Sequence, residues 1–224
     1  EQRFHSSQFI HNNLMYCYGD NGGQFVDAET GVNIGPSFDI YRSQVQYLPK
    51  SKTSVITGRR SSIVYLCSDR IANIVRLNLG QTYQSSGINK KETLIGVATD
   101  DGKVTIWDMV NGSVVGGVLR HDVEVEGVVF HPKNDRYIFT FMDGGFLYGW
   151  DRVDGNVFMG PVKLSNGLGL FINSEGTMLT AEGINGRIYR IPVQIPESGF
   201  DFSTWLPDLA NSMVRFKIDE TGAY

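Results

Sequence analysis

The sequence predicts an all-β chain of about five four-stranded antiparallel sheets, followed by a short amphipathic helix. Three observations carry this: a pattern that returns about every forty residues, short apolar runs broken by Gly, Asn, Asp and Pro, and a change of period after residue 198. The chain of 224 residues is 41% hydrophobic and 20% charged, with 26 glycines, a composition that can fill a core and turns often. A net charge of -4 and a pI near 5.6 speak against a phosphate-binding surface, so no nucleic-acid partner is expected. No run approaches the roughly eighteen apolar residues of a membrane span, and no membrane partner is expected either.

The repeat is clearest between VQYLPKSKTSVIT (45–57) and VVFHPKNDRYIFT (128–140), which align without a gap. Tyr47 meets Phe130, Pro49 meets Pro132, Lys50 meets Lys133 and Thr57 meets Thr140. The same offset lays IVYLCS (63–68) on FLYGWD (146–151). At half that step, Trp107 returns as Trp150, and Gly102 returns as Gly144 and again as Gly186. VDAETG (26–31) falls on WDMVNG (107–112), and a Gly-Pro turn at 35–36 returns at 160–161. Five units therefore cover residues 1 to about 196.

Within the fourth unit the strands read Val125–Phe130, Tyr137–Phe141, Phe146–Trp150 and Asn156–Met159, with turns at Pro132–Asp135, Asp143–Gly145 and Val153–Gly155. That is an antiparallel meander. One such sheet cannot bury both faces alone, whereas radial stacking buries each against its neighbours, which is a propeller. Only about fifteen residues separate Leu77 from Thr93, so the strand there is expected to be short or irregular. Unit one is expected to begin inside its first strand, at or before Phe4. Seven units of the usual length would need on the order of 290 residues, so the chain is expected to be the C-terminal part of a larger propeller whose open edges pair with another chain. A start at Glu1 rather than Met fits a trimmed or processed piece.

These residues resemble the WD-repeat β-propeller family, with VATDDGKVTIWDMVNG (97–112) as the best single match and residues 4–196 covered. The Trp-Asp pair stands at 107–108 and 150–151, while Val26-Asp27, Cys67-Ser68 and Ile191-Pro192 occupy the equivalent places. The resemblance implies one buried hydrogen-bonded network in unit four, formed by His121 before the first strand, Thr140 on the second, Asp143 in the following turn and Trp150 on the third. Its role would be rigidity, because a satisfied buried network is costly to break.

The chain divides into a propeller over 1–198 and a tail over 199–224. In STWLPDLANSMVRF (203–216), Trp205, Leu206, Leu209, Ala210, Met213 and Val214 recur at helical spacing, Ser203 or Thr204 can cap, and Pro207 falls in the first turn. WLPDLANSMVRFKIDETG resembles the tail of large bacterial WD-repeat proteins. The simpler reading is a helix that covers a sheet edge.

No catalytic, metal or cofactor site is nominated. His5, His11, His121 and His131 lie apart, and no nucleophile motif, P-loop or G-x-G-x-x-G is present. Asp100-Asp101 could be paired carboxylates, but a tight turn is the better reading. Asn111-Gly112-Ser113 matches the glycosylation triplet and is equally a turn. Cys17 and Cys67 have no metal-type spacing and read as buried free thiols in a reducing, cytoplasmic setting.

Two function classes remain. The first is a non-catalytic protein-binding scaffold or sensor module, possible within a larger multidomain protein; the alternative is a propeller enzyme or small-ligand binder with its site at the central channel. The turns between second and third strands should share one face and form a partner-binding rim of Asp20, Arg59, Arg60, Asp100, Asp101, Asp143 and Arg187. It would be acidic at three blades and basic at the second, which would favour a protein partner of basic character near blades three and four.

Overall fold

The computed structural model describes residues 6–196 apart from 20, 21, 41, 59, 60, 69, 70, 72, 166, 184 and 185, so the expected helix at 203–216 and the rim residues Asp20, Arg59 and Arg60 lie outside the described residues. Among the described residues nineteen strands form five antiparallel sheets. Blade one is β1 (Ser6–His11), β2 (Leu14–Gly19), β3 (Gly22–Asp27) and β4 (Asn33–Phe38). Blade two is β5 (Ser43–Leu48), β6 (Thr53–Gly58), β7 (Ile63–Ser68) and β8 (Ile74–Asn78). Blade three is β9 (Tyr83–Ile88), β10 (Leu94–Thr99), β11 (Lys103–Asp108) and β12 (Leu119–Arg120). Blade four is β13 (Val125–Phe130), β14 (Tyr137–Met142), β15 (Phe146–Asp151) and β16 (Asn156–Lys163). Blade five has three described strands, β17 (Gly167–Ile172), β18 (Met178–Gly183) and β19 (Ile188–Pro192).

Within each sheet, every strand after the first pairs with the one before it, as expected of meanders. The first strands of blades three, four and five lie side by side, which makes them the inner strands. There the backbones almost touch: a Cβ on Gly87 of β9 would sit 2.0 Å from the carbonyl oxygen of Val128 in β13. Ser85 also donates to the Val125 carbonyl at 3.1 Å.

Strand sequences follow from which faces are covered. All six residues of β10 (LIGVAT) and of β14 (YIFTFM) are buried, because each is a second strand with a blade on either side. By contrast β5 alternates buried Ser43 and Val45 with exposed Gln44 and Gln46. Four apolar layers result. Tyr16, Phe25 and Phe38 pack with Val45 and Ile56 between blades one and two. Val55, Leu66 and Leu77 pack with Ile95 and Val97 between two and three. Ile106 and Leu119 pack with Val128, Ile138 and Trp150 between three and four. Phe139, Phe141 and Phe158 pack with Leu170, Leu179 and Ile191 between four and five.

Two expectations are corrected. The strand before Thr93 is not short, though it is irregular: β9 has six residues and pairs along β10 with one register shift beside Thr99, and the short strand is instead β12, with two. The short linker suffices because the connection from Asn78 to Tyr83 is tight, closed by the Tyr83 N–H on the Ser61 carbonyl at 2.8 Å. The Gly-Pro pairs are not turns. Gly35-Pro36 lies within β4 and Gly160-Pro161 within β16, at register shifts where glycine supplies φ +70° and +102°. The described part of β1 pairs along β2 from Ser6 to His11, and the expected start of unit one at or before Phe4 lies outside the described residues.

Candidate functional site: the acidic face of blades three and four

The repeated Asp and Gly are parts of one turn. Between third and fourth strands, Asp27 Oδ1 accepts the N–H groups of Glu29 and Thr30 at 3.0 and 2.8 Å, and Gly31 N–H returns to the Asp27 carbonyl at 2.8 Å. Asp108 does the same for Val110 and Asn111 at 2.8 and 3.1 Å, with Gly112 at 2.9 Å. Asp151 accepts Val153 at 3.0 Å, with Gly155 at 2.8 Å. The three glycines share φ values of +72°, +70° and +72°, a left-handed conformation that a side chain disfavours. Asn111 Oδ1 likewise accepts Ser113 N–H at 2.8 Å, a turn role for the glycosylation-like triplet.

In blade four the expected network closes only in part. Trp150 Nε1 donates to Thr140 Oγ1 at 2.9 Å, both residues being buried. His121 stands edge-on to the Trp150 ring, with centroids 4.9 Å apart and planes at 80°, but its buried Nε2 makes no hydrogen bond. Burial pushes the imidazole down to about 4, against the opposing pull of Asp122. Asp143 is outside the network. It is exposed, and its Oδ1 accepts Gly144 N–H at 2.7 Å within its own turn, which keeps the carboxylate hydrated rather than desolvated against an imidazole.

The turns between second and third strands do share a face with the connections between blades. Thr82 N–H donates to Asp100 Oδ1 at 3.2 Å, His121 N–H to the Gly102 carbonyl at 2.9 Å, and Asp143 N–H to the Glu124 carbonyl at 3.0 Å. Asp100 and Asp101 do not act together: Asp101 accepts from Thr99 at 2.7 Å and pairs with Lys103. Partial burial raises the Asp101 carboxyl, but its bonds to Lys103 and Thr99 outweigh this and hold it below its ordinary value. Arg187 is exposed on blade five.

Three carboxylates on this face escaped sequence reading. Asp122, Glu124 and Glu126, from the connection into β13, are exposed and extend the charge of Asp143. Glu126 lies on the inner strand, at the mouth of the axis. Burial first, then the charges of Asp143 and Glu124, raise its carboxyl above the ordinary value. The signal was the alternation of acids in HDVEVEG (121–127), which places all three on one side of an extended segment. Among the described residues no group of three or more His, Cys, Asp or Glu is arranged to hold a metal ion. Cys67 is buried, its thiol pushed up to about 12 by burial, and Cys17 is half-buried.

No protein-family model matches the chain. A stretch of 62 residues, 27% of this chain, is 32% identical to human nucleoporin Nup43, and mouse Nup43 matches equally; the match spans 16% of each of those proteins. In structure, the chain is similar to KlHsv2 with its loop 6CD replaced by a Gly-Ser linker, at a TM-score of 0.62 and 11% identity, over 84% of this chain and 65% of that one. It is also similar to the Cps50 (Swd1) β-propeller domain of Myceliophteria thermophila, at a TM-score of 0.59 and 15% identity, over 69% of this chain and 52% of that one. Five stacked sheets, an Asp-to-Gly turn repeated in three of them, and likeness to a solved propeller domain make this chain a β-propeller.

Proposed function

We propose that the chain is a non-catalytic protein-binding scaffold whose acidic face at blades three and four docks a basic segment of a protein partner. The single observation that carries this is the convergence of Glu124, Glu126 and Asp143, where Asp143 N–H donates to the Glu124 carbonyl at 3.0 Å and where burial, then the charges of Asp143 and Glu124, raise the Glu126 carboxyl. Like charges held together cost free energy that an incoming cation relieves, and charge complementarity of this kind steers association. A scaffold also fits the adjacent carboxylates of Asp100 and Asp101, which are tied to separate partners. A second contact with another chain would use blade one. On the side turned away from blade two, Phe9 is 60% exposed and pairs across from the half-buried Met15, an apolar surface of the kind a partner covers.

The test is a Lys/Arg-rich peptide titrated into the full chain across a salt series. Binding should weaken as salt rises, because exposed charges are screened over about 8 Å at physiological ionic strength. Glu124→Gln/Glu126→Gln/Asp143→Asn should reduce affinity about tenfold, the effect of losing several rim charges. Equal affinity for both proteins and no salt slope would remove this face from the reading.

A further inference from the structure

We propose that an apolar cleft at the axial end of blades three to five seats the chain's own segment 203–216. The cleft is separate from the acidic face and lies at the opposite ends of the inner strands. It encloses about 400 Å³ where β9, β13 and β17 run together, between Ile88, Val128, Phe130, Leu170 and Phe171. Phe171 is 61% exposed there, an aromatic ring left in water on an inner strand. The one charged residue on the lining is Lys90. Such a surface suits the apolar side of an amphipathic helix, and its volume takes a few side chains rather than the helix itself.

Where the described chain ends selects the occupant. Among the described residues, the backbone from Val193 to Pro196 adds no strand beside β19. Val193 and Ile195 instead turn back into the apolar layer against blade four. Val193 N–H donates to the Thr177 carbonyl at 2.8 Å, and Thr177 accepts from the side chain of Asn173, which lines the cleft, at 3.1 Å. Tyr137 holds the Pro196 carbonyl at 3.1 Å. The chain therefore leaves the described structure at the same end of blades four and five as the cleft. Eight residues lie between Pro196 and Trp205, a reach of at most roughly 30 Å. The segment that follows carries Trp205, Leu206, Leu209, Met213 and Val214 on one side of a helical repeat. A tethered segment binds at high effective concentration, so its own chain outcompetes an untethered apolar partner of similar affinity.

A photo-cross-linking residue placed at Phe171 in the full chain should, on illumination, attach within the same chain to 203–216, as mapped by mass spectrometry. The same label at Val110, which is 78% exposed on blade three, should not. Cross-links from 171 that miss 203–216, that join two copies, or that occur equally from 110 would overturn the proposal. An independent readout is limited trypsin digestion. Phe171→Asp, and separately Leu209→Asp, should speed cleavage after Arg215 about tenfold, the effect of losing one buried apolar contact. Val110→Asp should leave the rate unchanged. Equal rates in all three variants would also overturn it.

Discussion

Trp150 donates its indole N–H to Thr140 at 2.9 Å, whereas Trp107, one blade earlier, has the same group buried with no acceptor. The difference lies in one residue. Thr140 pairs across from Tyr148, two residues before the tryptophan, and the residue placed that way before Trp107 is Val97, across from Thr105. A buried N–H without a partner costs about 1–3 kcal/mol. Thr140→Val should therefore lower unfolding stability by about 1–3 kcal/mol in urea titrations, and Val97→Thr should raise it by about 0.5–1.5 kcal/mol. Opposite signs in the two blades are the expected outcome.

His121 makes stability depend on pH. Its folded value is about 4, below the ordinary 6.5, because burial disfavours the imidazolium. Above pH 6.5 neither folded nor unfolded chain is protonated at this site, and its contribution is intact. As pH falls through the window from 6.5 to about 4, the unfolded chain gains a proton that the folded chain refuses, and stability is lost. His121→Phe should keep the edge-on contact with Trp150 and flatten the midpoint-against-pH curve across this window. An unchanged slope would place the titration elsewhere, with His131, also lowered by burial, the next candidate.

Among the described glycines, the tightest clearance between blades is at Gly87, where an added Cβ would lie 2.0 Å from the Val128 carbonyl. A backbone oxygen on an inner strand cannot swing aside as a side chain can. Gly87→Ala should force blades three and four apart and cost about 1–3 kcal/mol or more, read as a fall in thermal midpoint. Gly155→Ala meets nothing within 4 Å but needs φ +72°, so its cost should be only the strain of that conformation, about 1–2 kcal/mol.

The turns between first and second strands staple each blade to the next. Glu92 Oε2 of blade three accepts the backbone N–H groups of Lys50 and Ser51 of blade two, at 2.8 Å each, and Lys133 of blade four pairs with Glu175 of blade five. The first staple satisfies fixed backbone donors; the second joins two flexible, exposed side chains. Glu92→Gln should cost about 1 kcal/mol. Lys133→Ala should cost at most about 0.5 kcal/mol, and less in high salt, by the same denaturation assay.

Sequence alone determined the repeat, the fold class and nearly every strand of blade four, because each of those is written in local chemistry. Asp and Gly close the third turn in the same way at 27–31, 108–112 and 151–155, and alternating or continuous apolar runs mark which faces are covered. What only the tertiary structure decided was which groups meet. Asp143 was assigned to a network by its position, but its carboxylate belongs to an exposed turn. Glu124 and Glu126 were passed over in a connecting segment, yet they join Asp143 at the axis. Gly87 carries no periodic signal, yet it sets the approach of two blades. The reason is physical: strand and turn preferences act over a few residues and can be read along the chain. Electrostatic coupling, buried hydrogen bonds and backbone clearance depend on distances between blades, which exist only after the sheets have stacked.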